Sequence, residues 1–463
     1  MAAPPVSPDP GPSRTQREIT RQLIALAWPI IGVNVLQVLA LAVDTAMIGR
    51  TLDADAALTG MGYGSQLVFL LMVGMIGLTV GTVAFVARAH GAGLHDRVNH
   101  ILHQSTQLTV LLGVVVALAG NVLAEPLLAL LGADGATMDA GLAYLRPLLT
   151  FAVFSYVNLL FAAVLRGVGN TRLAFYVALF MNGLNVVFNY GLILGHYGLP
   201  AMGIAGAAYG TVLAQICAAI LMFALLNRGV VPGVQPRFKA LPIDRPLARD
   251  LIRVGWPAGA DMIVLNAGFL TIVGLLARVD EIAVAAHTVG IRVQALAFVP
   301  GMSISQATGA MVGMALGAGS VPEARQVVRS SLILCTGIMS SLGLLFIAWA
   351  GPIVGVFDVH PGTDLFAYSV MWMKMLGYCM PVVGVYISFG GMLSGSGATR
   401  TTLRINSWIT LLFQIPASWI LGFVVGLGVF GIWIAFPVAF GVKAIWGWWE
   451  YRKGDWAKVG VRA

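Results

Sequence analysis

Apolar residues run through this chain in long stretches, separated by short segments where Gly, Pro and charged residues collect. The pattern predicts helices near 21–48, 57–87, 98–122, 138–165, 171–195, 202–227, 249–278, 282–316, 324–350, 363–394, 400–425 and 429–450. Runs of about 20 residues or more span a ~30 Å hydrocarbon core at 1.5 Å per residue. The expected fold class is therefore an all-α integral membrane protein with 12 transmembrane helices.

The pattern also repeats. LRGVGNTR at 165–172 returns as LSGSGATR at 393–400, an offset of 228. At the same offset Trp28-Pro29 meets Trp256-Pro257, Arg146 meets Lys374, and Met202-Gly203-Ile204 meets Phe430-Gly431-Ile432. Internal duplication of a hydrophobic chain is a signature of secondary transporters. Two pseudo-symmetric six-helix lobes follow, related by an axis along the membrane normal. The expected boundaries are a disordered tail at 1–20, an N-lobe at 21–227, a linker at 228–248, a C-lobe at 249–450 and a C-terminal tail at 451–463.

Composition narrows the picture. The sequence is 58% hydrophobic and 10% charged, with a mean hydropathy of +0.87; soluble domains carry roughly 25% charged residues. A net charge of +8 would suit nucleic acid, but the basic residues lie between apolar runs. Only Arg50 and Arg278 fall in odd-numbered loops, and Arg146, Arg292, Lys374 and Lys443 lie within spans. The other 21 of the 27 Lys and Arg occupy the tails and even-numbered loops. The positive-inside rule then puts both termini in the cytoplasm. Cys217, Cys335 and Cys379 all sit in apolar runs and read as small buried residues, not as a disulfide or metal framework.

Of 19 acidic residues, Asp44 and Asp261 lie deep. A charge at bilayer depth costs at least ~2.5–3.5 kcal/mol, so each needs a partner, water or a proton. Asp44 lies one turn before the outer end of the first span. Asn185 and Asn189 share a face in the outer half of the fifth, and Thr211 reaches similar depth in the sixth. A carboxylate, two amides and a hydroxyl suit a hard monovalent cation, Na+ at these four residues, or a carboxyl that exchanges protons. The repeat puts Ile272 opposite Asp44, so the second half lacks this set. It offers Asp261 and Arg292 instead, both near the midplane, expected to pair or share a water-filled cavity. His287, nearer the outer end of the eighth span, reads as a hydrogen-bonding packing residue. Arg146 and Lys374 read as snorkelling anchors.

These features resemble the multidrug and toxic compound extrusion (MATE) family, over roughly residues 20–450. The resemblance rests on VDTAMIGR (43–50), NGLNVVFNYGLILGHYGLPAMGIAGAAYGT (182–211) and AAHTVGIRVQALAFVPGMSISQATGAMVG (285–313), which look like the NorM-like bacterial branch. It implies a MATE/MOP-type two-lobed fold in a bacterial inner membrane and efflux of amphipathic, cationic drugs or toxic metabolites. Na+ or H+ would be the coupling ion, with no other cofactor. It also implies a cation site at Asp44, Asn185, Asn189 and Thr211. NorM-like relatives carry a glutamate on the seventh helix near what is Leu265 here. Asn266 stands beside that place, and Asp261 lies one turn earlier. The acid often present near Val383 is missing. A C-lobe cavity would then draw on Asp261, Asn266, His287 and Arg292.

Other classes fit less well. No GxxxxGK[ST] is present for an ATP-driven pump. A membrane-embedded enzyme would need an HExxH, a His/Cys cluster or a Ser–His arrangement, so the chain is not expected to be an enzyme. A lipid-linked saccharide flippase shares the two-lobed plan and would call for a wide basic cavity, towards which Arg146, Arg292 and Lys374 point. The expected partners are small molecules and membrane lipids, not nucleic acid, and the expected state is a monomer.

Overall fold

The computed structural model describes residues 14–50, 54–236 and 242–458. Most of the expected N-terminal tail, part of the linker and the last five residues lie outside them. The helices are α1 (Gln16–Ile48), α2 (Ala54–Gly91), α3 (His95–Leu130), α4 (Gly135–Thr150), α5 (Ala152–Gly167), α6 (Thr171–Leu194) and α7 (Gly203–Asn227) in the first half. The second half holds α8 (Arg245–Ala277), α9 (Glu281–Gly317), α10 (Val321–Ala348), the short α11 (Ala350–Gly355) and α12 (Asp364–Gly395). It continues with α13 (Thr399–Ser407), α14 (Ile415–Trp419) and α15 (Gly428–Lys453). Among the described residues eleven segments are long and apolar enough to cross a membrane, one of them Thr399–Val424, where π-helical turns flank α14. A twelfth span forms if α4 and α5 are taken together.

Helix α3 runs to Leu130, eight residues past its expected end at 122, and two other differences from the sequence reading have a local cause. Helix α1 starts at Gln16, because Thr15 and Glu18 close a capping box that satisfies its first backbone donors. The fourth span is broken between Thr150 and Ala152 by a 57° bend. Pro147 lies one turn before the break, lacks an N–H and crowds the preceding turn. The repeat puts Met375 at that place, inside the unbroken α12.

The repeated loops show why the duplication persists in three dimensions. Gly169 and Gly397 both adopt a left-handed φ, of 79° and 78°, which only glycine takes without steric cost. The threonine two residues later bonds back to the first helix of its own half. Thr171 Oγ1 donates to the Leu26 carbonyl at 3.1 Å, and Thr399 Oγ1 to that of Val254 at 2.6 Å. A second matched pair ties neighbouring helices. Thr82 Oγ1 donates to Ser105 Oγ at 3.1 Å, and Thr308 Oγ1 to Ser331 Oγ at 2.7 Å. Such interhelical bonds contribute about 0.6 kcal/mol each. Each half has an extensive apolar core, and each core takes in residues of the other half: Ile19, Leu23 and Leu26 of α1 join that of the second, and Leu247 and Leu251 of α8 that of the first.

The halves meet mainly at the end of the bundle that carries the chain termini. Helix α1 packs on α9 and α10, and α2 on α8 and α9. Gln16 Nε2 donates to Ser330 Oγ at 2.5 Å, Arg14 pairs with Glu323 at 3.3 Å, and Arg88 Nη2 donates to the Ser396 carbonyl at 2.9 Å. Helices α2 and α9 cross in near-symmetric fashion. A Cβ on Gly91 would collide with the Met314 carbonyl, a Cβ on Gly317 with that of Arg88, and one on Gly313 would come within 2.8 Å of the Ala87 methyl. At mid-depth Asn34 Nδ2 donates to Ser303 Oγ at 2.9 Å. Towards the opposite end Val38, Leu39 and Leu41 of α1 are exposed.

The described parts of the linker pack onto the terminus-bearing end. Asp244 caps α8 through the Leu247 N–H and meets His100 Nε2 at 2.8 Å. The His100 hydrogen bond, then the backbone bond, holds this carboxyl below the usual carboxylate range. A depressed folded value means that its stabilisation is present above the unfolded value near 4 and lost as pH falls through the folded one. Asp244→Asn should therefore lose part of the wild-type fall in Tm on acidification below about pH 4. Parallel Tm–pH curves for the two proteins would refute this.

Candidate functional site

The four residues expected in the N-lobe come together as two linked pairs. Asn189 Nδ2 donates to Asp44 Oδ1 at 2.6 Å, and Asn185 Nδ2 donates to Thr211 Oγ1 at 3.0 Å. Asn185 and Asn189 are one turn apart on α6, so the pairs sit side by side. Asp44 comes from α1 and Thr211 from α7. Gly210 makes the room: a Cβ there would strike Asn189 Oδ1. Asp44 is half-buried, while Asn185 is 6% exposed and Asn189 fully buried. Among the described residues no basic side chain forms an ion pair with Asp44.

Two atoms give this cluster its chemistry. Asn185 Oδ1 and Asn189 Oδ1 are buried and lack a hydrogen-bond partner. An unsatisfied buried acceptor costs about 1–3 kcal/mol, and a cation repays that cost. Amide oxygens beside a carboxylate are the donor set of a hard cation, and the same carboxylate can take a proton instead.

The C-lobe residues fall into separate places. Asp261 does not meet Arg292: Arg292 is exposed on α9, and Asp261 is 7% exposed and directed to another partner. Both reach the midplane, but depth along a helix does not specify the direction around it. Asn406 Nδ2 donates to Asp261 Oδ1 at 2.7 Å, and Tyr386 Oη donates to Asn406 Oδ1 at 2.8 Å. Next to them Lys443, 1% exposed, donates from Nζ to Thr410 Oγ1 at 2.9 Å. Asn266 spends its amide on the Met262 carbonyl of its own helix at 3.3 Å.

His287 is not a hydrogen-bonding packing residue. Both ring nitrogens are buried without partners. The imidazole stacks on Phe269 at 5.9 Å and meets Trp372 edge-on at 4.9 Å, so aromatic contact holds it. Arg146 and Lys374 are exposed.

Asn406, Tyr386, Thr410 and Lys443 were not picked out as site residues from sequence, yet one signal pointed to the first. Asp44 and Asn189 are 145 positions apart, and so are Asp261 and Asn406. Both lobes thus use the same pair of helices for an acid–amide bond. Ile272 is the repeat partner of Asp44, and Asp261 lies eleven residues before it. The second bond is therefore displaced about 16 Å along the helix.

A duplicated bundle with a half-buried carboxylate beside orphaned amide oxygens is the plan of a multi-pass membrane transporter. This chain belongs to the MatE family, whose profile matches residues 29–191 and again 257–420. It is 27% identical to the probable multidrug resistance protein NorM of Thermotoga maritima, over 97% of this chain and 96% of that protein. It is 30% identical to a protein of the same description in Burkholderia pseudomallei, over 99% of this chain and 96% of the relative. Its fold matches a crystal structure of MATE in the bent conformation with a TM-score of 0.87 and 21% identity, covering 96% and 99% of the two chains.

Proposed function

We propose that this protein exports amphipathic, cationic small molecules, drugs or toxic metabolites, in exchange for Na+ or H+. It does so as a monomer in a bacterial inner membrane, with both termini in the cytoplasm. The multidrug resistance relatives support the cargo class, and the asymmetry of basic residues supports the orientation. The observation that carries the coupling is the half-buried Asp44 carboxylate, without a basic partner and beside two unsatisfied amide oxygens.

In the ion-free state the Asn189 NH2 group supplies the partial positive charge that Asp44 needs. A cation or proton arriving from outside takes over that role. The Asn189–Asp44 bond weakens, and α1 is freed to move against α6. For this to drive export, the ion must bind the cargo-releasing arrangement better than the cargo-loading one. With the halves joined at the cytoplasmic end, the present arrangement is the one open to the outside.

The test is ethidium efflux by purified protein in liposomes, with a pH gradient and a Na+ gradient imposed separately. One gradient alone should drive uphill movement and so name the ion. Ethidium movement driven by neither would overturn the antiport reading.

A further inference from the structure

The two acid–amide bonds are built alike but differ in what surrounds them. In the N-lobe the repeat positions of Lys443, Tyr386 and Asn406 are Gln215, Asn158 and Ala178, all neutral. Among the described residues no basic side chain pairs with Asp44 either, so its counter-charge comes from solvent. In the C-lobe Asp261 and Lys443 belong to one cluster of side chains without touching each other. Asn406 and Thr410 lie one turn apart; Asn406 holds Asp261, and Thr410 holds the Lys443 ammonium. Tyr386 bonds Asn406 and turns its ring towards the same ammonium at 5.6 Å, with the Phe440 ring at 5.0 Å on another side. A buried ammonium and a buried carboxylate are each costly alone, and each compensates the other here.

We infer that Lys443 is a built-in counter-cation for Asp261, so the C-lobe exchanges no coupling ion and each cycle carries a single ion through the N-lobe. This rests on the assignment of ion exchange to Asp44. Lys443 is a positioning residue: it sets how many ions the protein uses by occupying, from within the chain, the role that a free cation plays in the other lobe. A consequence follows for charge balance. Exchange of one inward Na+ or H+ for one outward monovalent organic cation moves no net charge. A second ion, were Asp261 free to take one, would make the exchange electrogenic.

The experiment counts cations and charge together. 22Na+ binding and indicator-dye proton uptake are measured on purified protein. Export of ethidium from liposomes, corrected for its movement in protein-free liposomes, is measured with and without a valinomycin–K+ diffusion potential. Wild type should bind one cation per chain, and its export should ignore the potential. Asp261→Asn should leave the count at one. Lys443→Met should raise it to two and make export depend on the potential, while Lys443→Arg and the Asp261→Asn/Lys443→Met double variant should keep one. A wild-type count of two, a cation lost in Asp261→Asn, or an unchanged count in folded Lys443→Met would each overturn the inference. Should Lys443→Met not fold, the wild-type and Asp261→Asn counts still decide it. Retention of the bound cation in Asp44→Asn would instead overturn the Asp44 assignment.

Discussion

Asp44→Asn should bring the drug resistance of an expressing host down to that of cells with no transporter, at unchanged amounts of protein in the membrane. Asparagine matches aspartate in size and can keep a hydrogen bond to Asn189, so the contact between α1 and α6 is retained. What disappears is the charge that an ion must neutralise. Insertion should not suffer, since removing a charge at depth relieves at least ~2.5–3.5 kcal/mol. A tenfold ion gradient is worth about 1.4 kcal/mol, enough for a tenfold cargo gradient at one-to-one exchange. In liposomes the variant should let cargo equilibrate to a ratio of about one instead of that tenfold accumulation. Resistance equal to wild type at matched expression would remove Asp44 from the mechanism.

The second large effect is expected at the crossing of α2 and α9. Gly317→Leu should hold the two halves apart at the terminus-bearing end, because its Cβ falls on the Arg88 carbonyl, a backbone atom that cannot turn aside. Gly91→Leu should do the same through the Met314 carbonyl. The clashing atoms belong to opposite halves, so the fold within each half should survive, while Tm should fall by what the α1 and α8 residues lose where they join the opposite core. Spin labels at the ends of α2 and α9 should move apart by several ångströms. Export should cease, since moving an equilibrium from 1:99 to 99:1 takes only about 5.5 kcal/mol. Gly274→Leu is the control, since a side chain there meets open space. Spin-label distances identical to wild type in the Gly317 variant would show that the crossing yields without separating.

The spans and the duplication were legible because both depend on composition over long windows. The N-lobe cluster was legible for a narrower reason. Asn185 and Asn189 share a face by spacing alone, and the depths of Asp44 and Thr211 follow from rise per residue. The C-lobe defeated the same reasoning. Asp261 and Arg292 match in depth, but Arg292 lies on an exposed face of α9. The partner that the structure supplies, Asn406, comes from a helix whose depth coincides only after the displacement of about 16 Å. Lys443 could be seen as an ammonium within a span, yet nothing in a linear pattern says which helix it faces. Pro147 was not singled out in the fourth span, and the 57° angle depends on what α4 and α5 pack against.

That displacement divides labour between the halves. Four helices of the C-lobe, α8, α12, α13 and α15, are stitched together through side chains that all stay on the chain, so under the proposed coupling this half would serve as a stator. In the other half the corresponding stitch is a single amide on a carboxylate, waiting on a visitor. On that reading, a gene duplication that copied the scaffold while leaving its polar interior free to diverge yields a machine with one fixed side and one that gives way.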